Sequence, residues 1–207
     1  YLPAKEMDIA MNGNPWNVPR GFPGSHSIDL LHQSLDTFLK TGVLSSPTFD
    51  KSLRDGKGDR SGWCEFKPKI LILEGWFVGC EPVSDLSQID DLGDDKFNLS
   101  LSKSEKDYRI LIQESLIEYS KIWKKFERIW HLKSSKFDNT ILWKAQQEDE
   151  MIRSKGSGLK GNNLTNFIRM IQTSIPQQSL SFINSDTTVE INQNRRVCKL
   201  WTTDYNF

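Results

Sequence analysis

Three stretches of this chain carry residue types fit for chemistry on a small ligand. In K-I-L-I-L-E-G-W-F-V-G-C, residues 69–80, an unbroken apolar run of strand length ends at Glu74 and Gly75. An acid at the carboxyl end of a buried strand is either a solvated strand end or a site carboxylate, because ligands collect at that edge of open α/β sheets. The glycine behind it allows a sharp exit and close backbone approach. A second stretch, P-T-F-D-K-S-L-R-D-G-K-G-D-R, gathers Asp50, Lys51, Arg54, Asp55, Lys57, Asp59 and Arg60 around two glycines. Taken alone, such a charge run is most often a solvated loop. The third is a helical stretch with Lys144, Gln147, Glu148 and Arg153 on its polar side and Gly156 and Gly158 behind it. Ammonium and guanidinium groups beside glycines suit a lid that neutralises phosphate charge, and equally suit an ordinary surface helix.

The elements that must position these residues follow from periodicity. The run at 70–73 shows no alternation, so it reads as a central strand covered on both faces, as in a parallel sheet. Before it, Pro3, Pro15, Pro19 and Pro23 with Gly13, Gly21 and Gly24 make residues 1–26 a loop with little regular structure. Ile28, Leu31, Leu35, Phe38 and Leu39 recur at helical spacing and stop at Gly42. Residues 44–66 read as a second polar loop. Residues 82–101 are acidic and turn-rich, a surface insertion to which no role attaches. A long amphipathic helix over 105–125 carries one apolar stripe, Tyr108, Leu111, Ile112, Leu116, Tyr119, Ile122 and Trp123. A second strand is expected over 126–132, helices over 140–155 and 163–175, a strand over 188–191, a turn at 193–196 and a last extended segment over 197–202. Strand, helix, strand in succession is the signature of a crossover in a parallel sheet.

Length and composition bound the rest. The 207 residues suit a single domain, 1–207, and the 27 basic residues balance the 27 acidic ones. That balance gives no electrostatic footprint for nucleic acid or an anionic membrane. No apolar run is long enough to span a bilayer, and no secretory leader opens the chain, so a cytoplasmic protein is the default. Cys64, Cys80 and Cys198 read as free thiols, and His26, His32 and His131 are too scattered for a metal site. Tyr1 is not a methionine, and the chain reads as the downstream part of something longer. It contains no G-x-x-x-x-G-K-[ST], G-x-S-x-G or H-E-x-x-H.

Several motifs in order resemble the D-glycerate 3-kinase family of plants, cyanobacteria and fungi, P-loop kinases related to uridine kinase, phosphoribulokinase and pantothenate kinase. R-G-F-P-G-S-H at 20–26 is similar to the family's R-G-x-x-G-[ST]-H-D, with Ser27 in place of the usual Asp. P-T-F-D-K-S at 47–52 with G-K-G-D-R at 56–60 is similar to P-x-[YF]-D-K-S…G-x-G-D-R, and L-E-G-W-F-V-G follows at 73–79. L-W-K-A-Q-Q-E at 142–148 resembles the lid segment W-[RK]-x-Q-x-E, and N-Q-N-R-R-V at 192–197 the turn at the end of the sheet.

The resemblance implies an α/β, three-layer P-loop kinase-like fold with a mainly parallel sheet, the amino-terminal strand and phosphate-binding loop being absent from this chain. It implies transfer of a phosphoryl group from ATP, with Mg²⁺, to D-glycerate in the complete protein, and a chain inactive by itself. Arg20, His26, Asp59 and Arg60 are then the substrate-binding residues; Glu74, Lys144 and Arg153 serve catalysis, with Lys144 and Arg153 on a lid over about 140–160. Asn194 and Arg195 lie near the adenine, and no residue is assigned as a metal ligand. Tyr1 and Leu2 look like the remainder of the family's D-D-F-Y-L element, whose aspartate is the expected base. An upstream segment or polypeptide completing the fold is the expected partner. A non-catalytic remnant serving as a binding module, or a pantothenate or nucleoside kinase of the same fold, are the alternatives.

Overall fold

The computed structural model describes residues 1–92, 99–136, 138–156, 158–181 and 183–203. A short helix, α1 (Ala4–Ala10), opens the chain, followed by α2 (Ile28–Thr41). Gly42 stops α2 in the left-handed conformation, φ 71°, its N–H returning to Phe38 O. A hairpin of β1 (Leu44–Asp50) and β2 (Asp59–Phe66) comes next, antiparallel with a bulge at Thr48/Phe49. The long helix α3 (Lys103–Trp123) starts from a full capping box, in which Ser102 and Glu105 satisfy each other's backbone N–H groups. Then follow β3 (Trp130–Ser134), α4 (Asp138–Lys155), α5 (Gly161–Thr173), α6 (Gln177–Ser181), β4 (Thr187–Ile191) and β5 (Val197–Thr202).

The core forms around α3. Its Ile112, Leu116, Tyr119, Ile122 and Trp123 are buried with Met7, Trp16, Phe22, Phe77, Met170 and Ile175 in one cluster. Arg109, on the same helix, is fully buried, and its guanidinium is satisfied by backbone carbonyls of Thr173, Ile89, Asp91 and Ile175. It thereby ties the segment around a short 3-10 turn (Leu86–Gln88) to the end of α5. The predicted insertion at 82–101 is anchored at its start in this way; residues 93–98 of it, including Asp94 and Asp95, lie outside the described residues.

Four expectations are corrected. Residues 1–26 are not loop throughout, because 4–10 form α1, whose first turn is capped from another element as described below. Residues 44–66 are not a loop but a hairpin, half-exposed along β1, which is why its polar composition hid it. The stretch 70–73 forms no ladder: Leu71 and Leu73 pack against the core, whereas Ile70 and Ile72 are 78% and 84% exposed. Among the described strands, β3 and β4 make the parallel pair, while β4 with β5 and β1 with β2 are antiparallel, so the pairing is less parallel than expected. The three-stranded sheet has the order β3-β4-β5, which leaves the outer edges of β3 and β5 unpaired among the described residues. Cys64, Cys80 and Cys198 are free thiols. No helix among the described residues is long and apolar enough to cross a membrane.

Candidate functional site

Residues 20–26 form a tight loop. Its centre is the buried Ser25, whose hydroxyl donates to Phe22 O at 2.7 Å and accepts from Gly21 N–H at 3.2 Å. Gly21 has φ 109°, and a Cβ there would come within 3.2 Å of Phe167 on α5. The tip of the 70–80 segment docks on this loop, Trp76 Nε1–H donating to Gly21 O at 2.6 Å. Phe77 meets Tyr119 edge-on at 5.2 Å. The loop therefore rests on both the core helix and the segment that ends in Glu74.

The hairpin closes over the same place. Arg20 lies over the Phe49 ring at 5.6 Å and donates from Nη1 to Gly56 O at 2.8 Å and to Lys57 O. The Phe49 ring meets Tyr1 at 4.8 Å with planes tilted by 46°, and Tyr1 stacks on His26 at 4.5 Å with planes 25° apart. Gly58 makes this approach feasible: its φ is 80°, and a Cβ would sit 2.5 Å from Phe49 Cε1. Arg60 donates from Nε and Nη2 to Tyr1 O at 3.2 and 3.0 Å. Asp59 Oδ1 accepts Ala4 N–H at 2.9 Å and Arg60 N–H at 2.8 Å, so its carboxylate caps α1, which has no side-chain cap of its own.

On the lid side, Lys144 sits 4.5 Å above the Phe167 ring and pairs with Glu148, whose side chain is only 4% exposed. Glu148 also accepts Leu159 N–H at 2.8 Å. The chain folds back there through Gly158, where a Cβ would stand 2.9 Å from Ile152 and 3.1 Å from Glu148 O. Gly158 thus latches the end of α4 rather than serving as a free hinge. Burial lowers the Arg20 guanidinium, opposed by the charges of Tyr1 and Glu148, so the Glu148 carboxylate lies within electrostatic reach of Arg20. Burial pushes His26 down to about 3, leaving a neutral imidazole at the edge of a cationic cluster.

No protein-family model matches the chain. The D-glycerate 3-kinase of Cryptococcus neoformans var. grubii superposes with a TM-score of 0.80 at 22% identity, covering 98% of this chain and 77% of that one. The chain has the fold of a D-glycerate 3-kinase. The YGR205w protein superposes with a TM-score of 0.71 at 24% identity, over 98% of this chain and 74% of that one. In sequence, the uncharacterized kinase mug58 of Schizosaccharomyces pombe is 26% identical over 181 residues, 80% of this chain and 61% of that protein. The probable ATP-dependent kinase TDA10 of Saccharomyces cerevisiae is 27% identical over 203 residues, 86% of this chain and 64% of that protein. The chain thus spans less than two thirds of the length of either curated relative. The likeness to D-glycerate 3-kinases read from the sequence is recovered in the structural comparison, and both relatives found in sequence are named as kinases.

Within this glycerate-kinase fold, Arg20, His26, Asp59 and Arg60 come together, and Lys144 approaches them through Phe167. Glu74 is exposed and makes no hydrogen bond or ion pair among the described residues. Arg153 is not brought in: it lies about two and a half turns beyond Lys144 on the same helix, exposed, beside Gln146, Glu150 and Ser154. Asn194 and Arg195 sit on an exposed turn organised by Asn192 Oδ1, which accepts the N–H groups of Asn194 and Arg196. That turn docks on α4, Trp143 Nε1–H donating to Gln193 O at 2.8 Å and Arg195 lying 5.7 Å over the same indole. Sequence reasoning gave no role to Phe49, Trp76 or Tyr119, each of which reads as core or loop apolar residue. Glu148 carried a signal, as the closing acid of the Q-Q-E motif.

Proposed function

We propose that this chain is the acceptor-binding and lid portion of an ATP-dependent kinase whose acceptor is D-glycerate. The observation that carries this reading is the convergence of Arg20, His26, Arg60 and Lys144 from three separate segments of a fold shared with a D-glycerate 3-kinase. Among the described residues, Arg20 Nε and Nη2 and Arg60 Nη1 donate to no backbone carbonyl. A small carboxylate fits these remaining N–H groups, and its hydroxyls fit His26 and the neighbouring backbone. Lys144, held by Glu148 and Phe167, is placed to offset charge on a transferring phosphoryl group. Asn194 and Arg195 would lie toward the adenine, and Glu74 toward the phosphates. In the reaction the acceptor hydroxyl oxygen forms a bond to the γ-phosphorus as the bond to the β,γ-bridging oxygen breaks, and ADP leaves. Among the described residues no three His, Cys, Asp or Glu side chains gather into a metal-binding set. A Mg²⁺ ion would take its ligands from the phosphates and from groups other than these.

The absence of G-x-x-x-x-G-K-[ST] from the 207 residues supports weak nucleotide binding and no turnover by this chain in isolation. Completion by a further strand-bearing segment, covalent or separate, is supported by the open edge of β3, where Trp130 and Leu132 are 73% and 65% exposed, and by the bare Ile70 and Ile72. Calorimetry with D-glycerate and with ATP tests the division of labour: weak binding of the acid and almost none of the nucleotide is expected. Phosphoryl transfer by the protein joined to an upstream segment bearing the missing motif is the stronger test. Turnover of pantothenate or uridine in place of D-glycerate would overturn the substrate.

A further inference from the structure

Tyr119 lies on the buried stripe of α3, and burial pushes its phenol up, so it keeps its proton. Its oxygen accepts Gly24 N–H at 3.3 Å and stands 2.7 Å from His26 Nδ1. The other polar neighbour of Nδ1, Ser25 Oγ at 3.4 Å, already gives its hydrogen to Phe22 O. The phenol has one hydrogen, and among the described residues the acceptor it meets is Nδ1. Were Nδ1 protonated, it would donate to the phenol oxygen, and the buried hydroxyl would lose the acceptor for its own hydrogen. The ring proton therefore belongs on Nε2, which makes no hydrogen bond among the described residues. Tyr1 on one side and Phe77, at 5.8 Å, on another hold the imidazole plane.

We propose that Tyr119 is a positioning residue that locks His26 as the neutral Nε2–H tautomer, so that His26 donates a hydrogen bond to an oxygen of the hydroxy acid instead of accepting its proton. The identity of that ligand rests on the function proposed above; the tautomer does not. The consequence for the chemistry is specific: the proton released by the acceptor hydroxyl goes to a group other than His26. A histidine in this loop is then a determinant of substrate orientation, and its partner in the core helix sets which face of the ring does the work.

Long-range proton–nitrogen correlation spectra of the full chain at neutral pH, with His26 assigned from the signal lost in His26→Gln, test this directly. The wild type is expected to show the Nε2-protonated pattern. Tyr119→Phe is expected to shift population toward the Nδ1-protonated form or imidazolium. D-glycerate at saturation is expected to move the Nε2 resonance in the wild type and to move it less in Tyr119→Phe. An Nδ1–H or imidazolium pattern in the wild type would overturn the lock, and this arm needs no variant to fold. An unchanged pattern in folded Tyr119→Phe would overturn the role of Tyr119, and an unmoved Nε2 at saturating acid would overturn the donor role. The expected tautomer together with no phosphoryl transfer by the completed protein would count against the kinase reading while supporting the lock.

Discussion

At the scale of single residues, the site depends on a few close approaches. Gly58 is the tightest, since any side chain there must displace the Phe49 ring on which Arg20 lies. Gly56, with φ 87°, has the same backbone requirement but open space around it. Gly56→Ala is expected to cost about 1 kcal/mol from strain alone, and Gly58→Ala about 1–3 kcal/mol more from overpacking. Comparison of their denaturant midpoints checks the ordering. His26 supplies a second prediction. Its imidazole stays neutral down to about 3 when folded, while an unfolded histidine takes up a proton below about 6.5. The unfolded state therefore binds more protons in that window, and stability falls as pH drops from about 6.5 toward 3, by up to about 1.4 kcal/mol per pH unit. His26→Gln is expected to flatten the upper part of that slope and to leave stability above neutral pH without a pH-dependent change, as read by denaturation at a series of pH values.

At the scale of elements, helix α3 is organised by a network at its start. Glu105 is buried, which pushes its carboxyl up, yet the Arg169 guanidinium and the Ser102 backbone N–H bring it down to about 2. Trp16 Nε1–H and the Thr173 hydroxyl donate to the same carboxylate, so the cap of α3, the segment after α1 and helix α5 meet in one group. Its folded value lies below the unfolded one of about 4.5, so the contribution is complete above that pH and is lost as pH falls from about 4.5 through about 2. Glu105→Gln is expected to destabilise by about 2–3 kcal/mol at neutral pH, with the gap to the wild type closing across that acid range in the same series of measurements. The helices α2 to α5 were legible because each carries a stripe of apolar residues and a terminator such as Gly42 or Pro176. The hairpin was not: Asp59 and Arg60 look like loop charges until one sees that they cap α1 and hold Tyr1 O. Pro47 within β1 also speaks against a strand, and it is tolerated at one edge of a two-stranded ribbon. Helix α1 was hidden for the complementary reason, since its cap is donated from residue 59 and no local residue announces it.

At the scale of the whole molecule, the uniform apolar run at 70–73 gave a correct reading of composition and an incorrect one of pairing. Such a run suits burial on both faces, and the described residues cover one, leaving Ile70 and Ile72 outside. Trp130, Leu132, Val197 and Leu200 on the three-stranded sheet are exposed as well, which adds to the apolar surface open to water. The chain by itself is expected to self-associate at micromolar concentration and to bind a hydrophobic dye. Ile72→Lys combined with Leu132→Lys is expected to lower both signals without lowering the thermal midpoint, which light scattering, dye fluorescence and calorimetric scanning can follow. The column of rings from Phe49 through Tyr1 and His26 to Phe77 has the opposite character. Because it is assembled from the chain's own side chains before any guest arrives, a small acid would enter a mould already set. Its uptake should release heat with little ordering of the host, and any adaptation on binding a further ligand would be left to the helix that carries Lys144.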